Sequence, residues 1–203
     1  MTLRFVTSNR DKLREASELL RRPLTAVSAE LEEIQTTDLE QLVRHKTLQA
    51  YRGLRRPLIV EDTALVFKAW KELPGPFVKF FLENLGLDGL VDALSAFENW
   101  DAVAISGVGY HDGGAVHYFE GRVEGQIVAP RGAGGFGWDA IFRPLGAERT
   151  YAEMAPEEKH RHSMRAAALK ALADHLDSPR TAPRSSYPRL AGIPEPPGRP
   201  DSA

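Results

Sequence analysis

The stretch Pro57-Leu58-Ile59-Val60-Glu61-Asp62-Thr63 contains a run of aliphatic residues that passes directly into two acids. Such a run after a proline predicts a short buried strand. Acidic residues at the end of a buried strand lie on the rim where α/β proteins bind their ligands. Residues 57–63 therefore predict an α/β sheet with a polar site at its edge. The alternative is that the acids only accept bonds from neighbouring backbone groups.

Before this strand, the chain alternates between strand and helix patterns. The patterns predict strands at Leu3–Val6 and Leu24–Ser28, a helix near Lys12–Arg21, and a second helix that is capped by Asp38. Short strands that alternate with helices are typical of the α/β class.

After this strand, the patterns predict two helices around a β-hairpin. The hairpin strands are Ala102–Tyr110 and Val116–Val128, joined by His-Asp-Gly-Gly at residues 111–114. The helices are Pro76–Leu85 and Pro156–Leu176. The complete order predicts one α/β domain over residues 1–176, with a mixed central sheet flanked by helices.

Residues 177–203 differ in composition from the rest of the chain. Half of the 14 prolines fall in this segment, which has few large apolar residues. Such a segment buries too little apolar surface to offset the entropy lost on ordering. We expect a disordered tail, or a strip that binds a partner of unknown identity.

The composition limits the classes of function. With 42% hydrophobic and 27% charged residues, the 203-residue chain is typical of a globular domain. No apolar run approaches the roughly 18 residues of a transmembrane helix, so we expect no membrane span. The net charge of −2 argues against a nucleic-acid polymer as partner. The lack of cysteine and of a signal-like start favours a cytoplasmic protein.

Two segments place polar groups beside predicted helix starts. Thr7-Ser8-Asn9-Arg10-Asp11-Lys12 lies between a strand and a helix, so its backbone N–H groups and Lys12 can face a phosphate. Leu73–Lys79 contains a Pro-Gly-Pro turn that directs a second helix start, with Lys79 in its first turn. Either segment can instead be an ordinary solvated turn or helix start.

The densest signal is the glycine-rich segment at residues 130–139. Phe136 and Trp138 offer ring faces on which a base can stack, an interaction of roughly 1–3 kcal/mol. Asp139 can accept hydrogen bonds from a base edge, and the glycines let a flat group approach the backbone. The alternative is that both aromatic rings fill the core.

A last candidate lies in the predicted C-terminal helix. Lys159 and Ser163 are four residues apart, so they are expected to share a helix face, with Arg165 nearby. A basic residue and a hydroxyl on one face can line a nucleotide pocket. An exposed amphipathic helix is the alternative.

Taken together and in this order, these segments resemble the inosine triphosphate pyrophosphatase family, the house-cleaning enzymes for non-standard purine triphosphates. The resemblance covers about residues 3–176. It rests on the blocks Thr7-x-Asn9-x-x-Lys12-x-x-Glu15, Val60-Glu61-Asp62-Thr63, Leu73-Pro74-Gly75-Pro76-Phe77-x-Lys79, Pro130-Arg131-Gly132, Phe136-Gly137-Trp138-Asp139 and Thr150-Tyr151-Ala152-Glu153-Met154. It implies a two-lobed fold with a cleft, a homodimer, and Mg²⁺-dependent cleavage of a nucleoside triphosphate to the monophosphate and pyrophosphate.

The resemblance also implies a role for each matched residue. Asp62 is implied as the catalytic proton acceptor and, together with Glu33, as a ligand of Mg²⁺. The residues implied in binding the triphosphate or its base are Thr7, Ser8, Asn9, Lys12, Lys46, Thr63, Lys79, Phe136, Gly137, Trp138, Asp139, Lys159, Met164 and Arg165.

One position departs from the family pattern. The family usually has Ser-His-Arg where this chain has Ser163-Met164-Arg165, and methionine cannot donate a useful hydrogen bond. We therefore expect base selectivity to be relaxed or redirected. Two other functions stay open: a nucleotide sensor that has lost turnover, and an enzyme for modified pyrimidine or thymidine-like triphosphates.

Overall fold

The strand predicted at Leu58 forms the centre of a sheet. The computed structural model of the chain describes residues 2–178, so the predicted tail lies outside the described residues from position 179 onward. The described strands are β1 (Leu3–Val6), β2 (Leu24–Val27), β3 (Leu58–Phe67), β4 (Pro74–Gly75), β5 (Asp101–His111), β6 (Val116–Ile127) and β7 (Phe142–Pro144). The described α-helices are α1 (Arg10–Leu20), α2 (Leu39–Leu54), α3 (Val78–Leu94), α4 (Pro156–His162) and α5 (Met164–Asp177).

The strands of residues 2–178 form one mixed sheet. Its order is β2-β1-β3-β5-β6-β7, and β4 pairs with β3 beside this path. β1 runs parallel to β2 and β3, whereas the pairs β3–β5, β5–β6 and β6–β7 are antiparallel. Helices flank the sheet, so the structure confirms the predicted fold class.

β3 is longer than predicted, and this changes the position of its acids. We expected the strand to end at Val60, but it continues to Phe67 because its apolar second half pairs with β5. The parallel neighbour β1 ends opposite Val60. Glu61 and Asp62 therefore lie inside β3, at the point where β1 stops and leaves a gap in the sheet.

Each of the first two helices begins directly after a residue whose side chain caps it. The Asn9 side chain accepts hydrogen bonds from the backbone N–H groups of Asp11 and Lys12, so α1 starts slightly earlier than expected. Asp38 caps α2 by accepting from the N–H of Gln41, as predicted. Both side chains satisfy donors that a helix start otherwise leaves unpaired.

The third predicted helix is longer than expected and is interrupted. α3 extends to Leu94, well beyond the predicted end at Leu85, and its regular geometry breaks at Gly86, where φ is 68°. Glycine adopts a positive φ without the steric penalty that a side chain brings.

The predicted helix Pro156–Leu176 is in fact two helices. Ser163 between them is extended, and its side chain accepts from the backbone N–H groups of Arg165 and Ala166, so it caps α5. The prediction that Lys159 and Ser163 share a helix face is therefore wrong. A serine that can satisfy two orphan donors favours a new helix start over helix continuation.

The apolar core has separate parts on the two sides of the gap beside β3. One part packs α1 and α5 on the sheet and includes Phe5 and Leu169. Another packs α3 and β7 against the far end of β3 and includes Phe67 and Leu90. These parts form the two lobes, and the gap between them is a cleft. No helix within residues 2–178 has both the length and the apolar character to cross a membrane.

We predict that Ser163→Ala lowers the free energy of unfolding by about 1 kcal/mol, because α5 loses its cap. Urea unfolding followed by circular dichroism measures the change. Ser163→Thr retains an acceptor oxygen and serves as the control. Equal stability of Ser163→Ala and the wild type would show that the helix break does not depend on this cap.

Candidate active site

The gap beside β3 opens into a cleft with a volume of about 370 Å³. Its walls come from the loop after β1, the segment before α2, α2 itself, β3, the start of α3 and the glycine-rich loop. Small-molecule pockets typically measure about 300–1,000 Å³, so the cleft has the size for a ligand of that kind.

At one end of the cleft lies the start of α1. Thr7 Oγ1 accepts a hydrogen bond from the N–H of Asn9 at 3.1 Å, which fixes the loop before the helix. Lys12 Nζ donates to the backbone oxygen of Glu61 at 3.2 Å and lies 3.7 Å from Asp62 Oδ1. An ammonium group and a helix N-terminus at the same place make a positively charged pocket end.

Next to Lys12, two carboxylates meet around one ammonium group. Lys46 Nζ lies 2.8 Å from Glu33 Oε1 and 2.5 Å from Asp62 Oδ2. Burial alone would lower the pKa of Lys46, but Asp62 and Glu33 raise it above its usual value. Burial likewise would raise the pKa of Glu33, but Lys46 lowers it. Lys46 and Glu33 are therefore charged at neutral pH.

The two carboxylates fit a divalent cation that also binds the ligand. They already converge on a single positive charge, and carboxylate oxygen is a preferred ligand of Mg²⁺. Residues 2–178 contain no group of three or more histidine or acidic side chains that could hold a metal by itself. A cation bound at Glu33 and Asp62 would thus need phosphate or water oxygens to complete its shell.

A buried ion-pair network lies behind the other end of the cleft. Lys159 Nζ lies 2.8 Å from Glu15 Oε1 and 2.7 Å from Asp139 Oδ2, and Arg165 pairs with both Glu15 and Glu61. Burial alone would raise the pKa of Glu15, but Arg165 and Lys159 lower it. Burial would also raise the pKa of Glu61, but Arg165 and Lys12 lower it to about 2.

The glycine-rich loop carries an aromatic ring over this network. Lys159 Nζ lies 4.9 Å and Arg165 Cζ 5.3 Å from the centre of the Phe136 ring. The N–H of Phe136 donates to Asp139 Oδ2 at 2.8 Å, which ties the loop to the network. Burial raises the pKa of Asp139 despite the nearby ammonium of Lys159. One Asp139 oxygen thus holds the loop in shape.

Most of the residues implied by the resemblance line the cleft. These lining residues are Thr7, Ser8, Asn9, Lys12, Glu33, Lys46, Asp62, Thr63, Lys79, Phe136, Gly137, Trp138 and Asp139. Lys159, Met164 and Arg165 do not form part of this lining; they are buried behind it. The Met164 sulfur lies 4.0 Å from the Tyr151 hydroxyl, inside the apolar core.

Two lining residues behave differently from expectation. Trp138 is only 6% exposed and meets Phe142 edge-on, so most of its ring is core rather than a free stacking surface. Phe80 was expected to face inwards from the predicted helix Pro76–Leu85, but it is 53% exposed at the cleft, so that expectation is wrong.

Sequence reasoning also missed the structural role of three buried residues: Glu15, Glu61 and Ser106. Glu15 stands three positions after Lys12 in one of the quoted blocks, and its membership of that block was the one sign in the sequence that it belongs to the site. Its partners Lys159 and Arg165 lie far away in the chain and could not be assigned from spacing.

Fold and cleft together define an α/β protein with a charged pocket, built where a parallel strand ends beside a helix N-terminus. The chain belongs to the Ham1 family, whose family model matches residues 3–175. This confirms the family resemblance seen in the sequence blocks.

Related proteins cover nearly the same length. The inosine triphosphate pyrophosphatase of Kluyveromyces lactis is 43% identical over an alignment of 182 positions, which covers 85% of this chain and 94% of the relative. The structure of a HAM1 protein from Coxiella burnetii has a TM-score of 0.75 at 26% identity and covers 87% of this chain and 98% of its own. A nucleoside-triphosphatase, or dITP/XTP pyrophosphatase, from Mycobacterium abscessus has a TM-score of 0.67 at 30% identity, covering 85% and 98%.

We predict that Glu15→Gln lowers the free energy of unfolding at pH 7 by about 3 kcal/mol, because it leaves two buried cations without a full counter-charge. The folded pKa of Glu15 lies below the ordinary 4.5, so its contribution is complete above about pH 4.5 and is lost as the pH falls further. The difference between variant and wild type should therefore shrink below pH 4.5.

Urea unfolding at a series of pH values measures this difference. Glu18→Gln, which changes an exposed acid on the same helix, is the matched control and should follow the wild type. A gap between Glu15→Gln and wild type that stays constant from pH 7 to pH 3 would contradict the assigned ion pairs.

Proposed function

We propose that this chain hydrolyses a nucleoside triphosphate, of the inosine, deoxyinosine or xanthosine kind, to the monophosphate and pyrophosphate. The observation that carries the proposal is that one cleft joins a cationic end to an aromatic end. Lys12, Lys46 and the start of α1 lie at the first, and Phe136 lies at the second. The names of the relatives from Kluyveromyces lactis and Mycobacterium abscessus support the same substrate class.

The cationic end suits a polyphosphate. Lys12 and Lys46 offset negative charge, and the N–H groups of the first turn of α1 add further positive potential. The side chain of Lys79 is 74% exposed at the mouth of the cleft, and its Nζ lies 3.7 Å from Glu83 Oε1. Its side chain is thus free to turn towards a bound phosphate.

We assign Mg²⁺ to Glu33 and Asp62. When bound, the ion would polarise a phosphoryl oxygen and lower the pKa of a water molecule. Lys46, which pairs with both carboxylates in this structure, would then have its charge available for the phosphates. Asp62 also has an oxygen near the cleft that can accept the proton of an attacking water. Positioning and charge stabilisation are expected to supply most of the rate, as in other phosphoryl transfers.

The aromatic end suits a purine base. Lys159 and Arg165 hold the Phe136 ring from behind, so its other face is available for stacking in the cleft. Met164, next to Arg165, offers no hydrogen-bond donor in place of the usual family histidine. We infer that this chain discriminates less between keto and amino purines than a site with that histidine does.

Two further assignments complete the proposal. We expect the homodimer that the resemblance implies, and a cytoplasmic location, where free nucleoside triphosphates occur. Both rest on the resemblance and on composition alone.

Asp62→Asn is predicted to lower the rate of pyrophosphate release by about 10²- to 10⁴-fold, since the cleft loses both a proton acceptor and a full metal ligand charge. Pyrophosphate release is measured with Mg²⁺ and a panel of ITP, dITP, XTP, GTP and ATP. Asp88→Asn, an exposed acid on α3, is the control and should keep the wild-type rate. A wild-type protein that binds these triphosphates without turnover would instead be a nucleotide sensor.

A further inference from the structure

Glu61 and Asp62 are adjacent acids in β3, but they have different surroundings. The side chain of Asp62 is 22% exposed towards the cleft, whereas that of Glu61 is 1% exposed. Successive side chains of a strand point to opposite faces of the sheet. Asp62 can therefore meet a ligand or metal directly, and Glu61 must act through other protein groups.

The carboxylate of Glu61 joins cations from the two ends of the cleft. Its Oε1 accepts hydrogen bonds from Ser106 Oγ at 2.9 Å and from Arg165 Nε at 3.1 Å. Its Oε2 lies 3.1 Å from Lys12 Nζ. Lys12 lines the cationic end, where the phosphates are proposed to bind. Arg165 supports the Phe136 ring at the aromatic end, where the base is proposed to bind. One buried group thus contacts both.

The two oxygens of Glu61 are held unequally. Oε1 has two donors, but Oε2 receives no hydrogen bond of good geometry from the residues that the structure describes. Within the described residues, its ion-pair contact is the ammonium group of Lys12. Buried carboxylate oxygens normally have hydrogen-bond partners. The Lys12 ammonium is therefore the adjustable partner of Glu61, and Ser106 and Arg165 fix the carboxylate from the other side.

We infer that Glu61 is a positioning residue that couples the two ends of the cleft. Glu61 fixes Arg165 under Phe136 and Lys12 beside the phosphates. Correct binding of the base therefore increases the affinity for the polyphosphate. The inference rests on the proposed function and adds to it a route between base recognition and phosphate binding: Phe136, Arg165, Glu61 and Lys12.

The test compares two ligands that differ in the base. Inorganic tripolyphosphate is expected to occupy the cationic end only. An inosine triphosphate analogue with a methylene group between the α- and β-phosphates is expected to occupy both ends without being cleaved. The dissociation constant of tripolyphosphate divided by that of the analogue, both measured by calorimetry, expresses how much the base contributes to the affinity. Coupling between sites typically changes affinity by about 5- to 150-fold.

The main variant is Ser106→Ala, which loosens Glu61 without removing a charge or touching the ligand. We expect it to lower the ratio by about fivefold or more, while the dissociation constant of tripolyphosphate stays within about twofold of wild type. Glu61→Gln should lower the ratio at least as much. Thr47→Val is the control, because the buried Thr47 hydroxyl donates only within α2, to the Val43 oxygen, and should leave the ratio unchanged.

A purely structural role for Glu61 gives a different result. In that case Ser106→Ala and Glu61→Gln would weaken both ligands by the same factor, or neither, and the inference would be overturned. If the wild type cleaves nucleoside triphosphates and the ratio does not move, only the coupling fails. If the wild type binds neither ligand, the proposed function fails and the coupling fails with it.

Discussion

The architecture of the site depends on the need to neutralise charge that is buried inside the protein. Isolated ions are strongly disfavoured away from water, so each buried carboxylate requires cations at contact distance. Glu15 lies between Lys159 and Arg165, and Glu61 lies between Arg165 and Lys12. These pairs tie α1, β3, α4 and α5 together. Lys12, which helps to keep Glu61 ionised, also lines the cleft.

The sheet supplies the space for this charge. Because β1 ends opposite Val60 while β3 continues along β5, the backbone of β3 loses its neighbour at Glu61. The ammonium group of Lys12 donates to the backbone oxygen of Glu61 at this point. A strand of ordinary length in β1 would have filled the gap and left no cleft. The length difference between two neighbouring strands is thus the geometric origin of the site.

Local signals predicted much of the fold, and non-local contacts account for what they missed. The Asp38 cap and the Gly-rich hairpin turn depend on residues a few positions apart, and both agree with the structure. The predicted end of β3 at Val60 was wrong, because two acids interrupt the apolar pattern of the sequence there. In the structure, pairing with β5 continues the strand to Phe67. The break at Ser163 was missed because a capping serine also fits a helix interior. Cleft-lining positions came from the family blocks, but the pairing of Glu15 with Arg165 joins residues too distant in sequence for spacing to indicate.

The interruption of α3 at Gly86 has a consequence for how members of such a family can diverge. The second half of this helix is anchored by Leu90 and Leu94, while the first half presents Lys79 and Phe80 at the cleft. Since the helical axis is broken between them, substitutions before the glycine leave the anchoring half in place. Substitution of Lys79 or Phe80 can therefore remodel the entrance for new ligands while Leu90 and Leu94 keep their packing in the core.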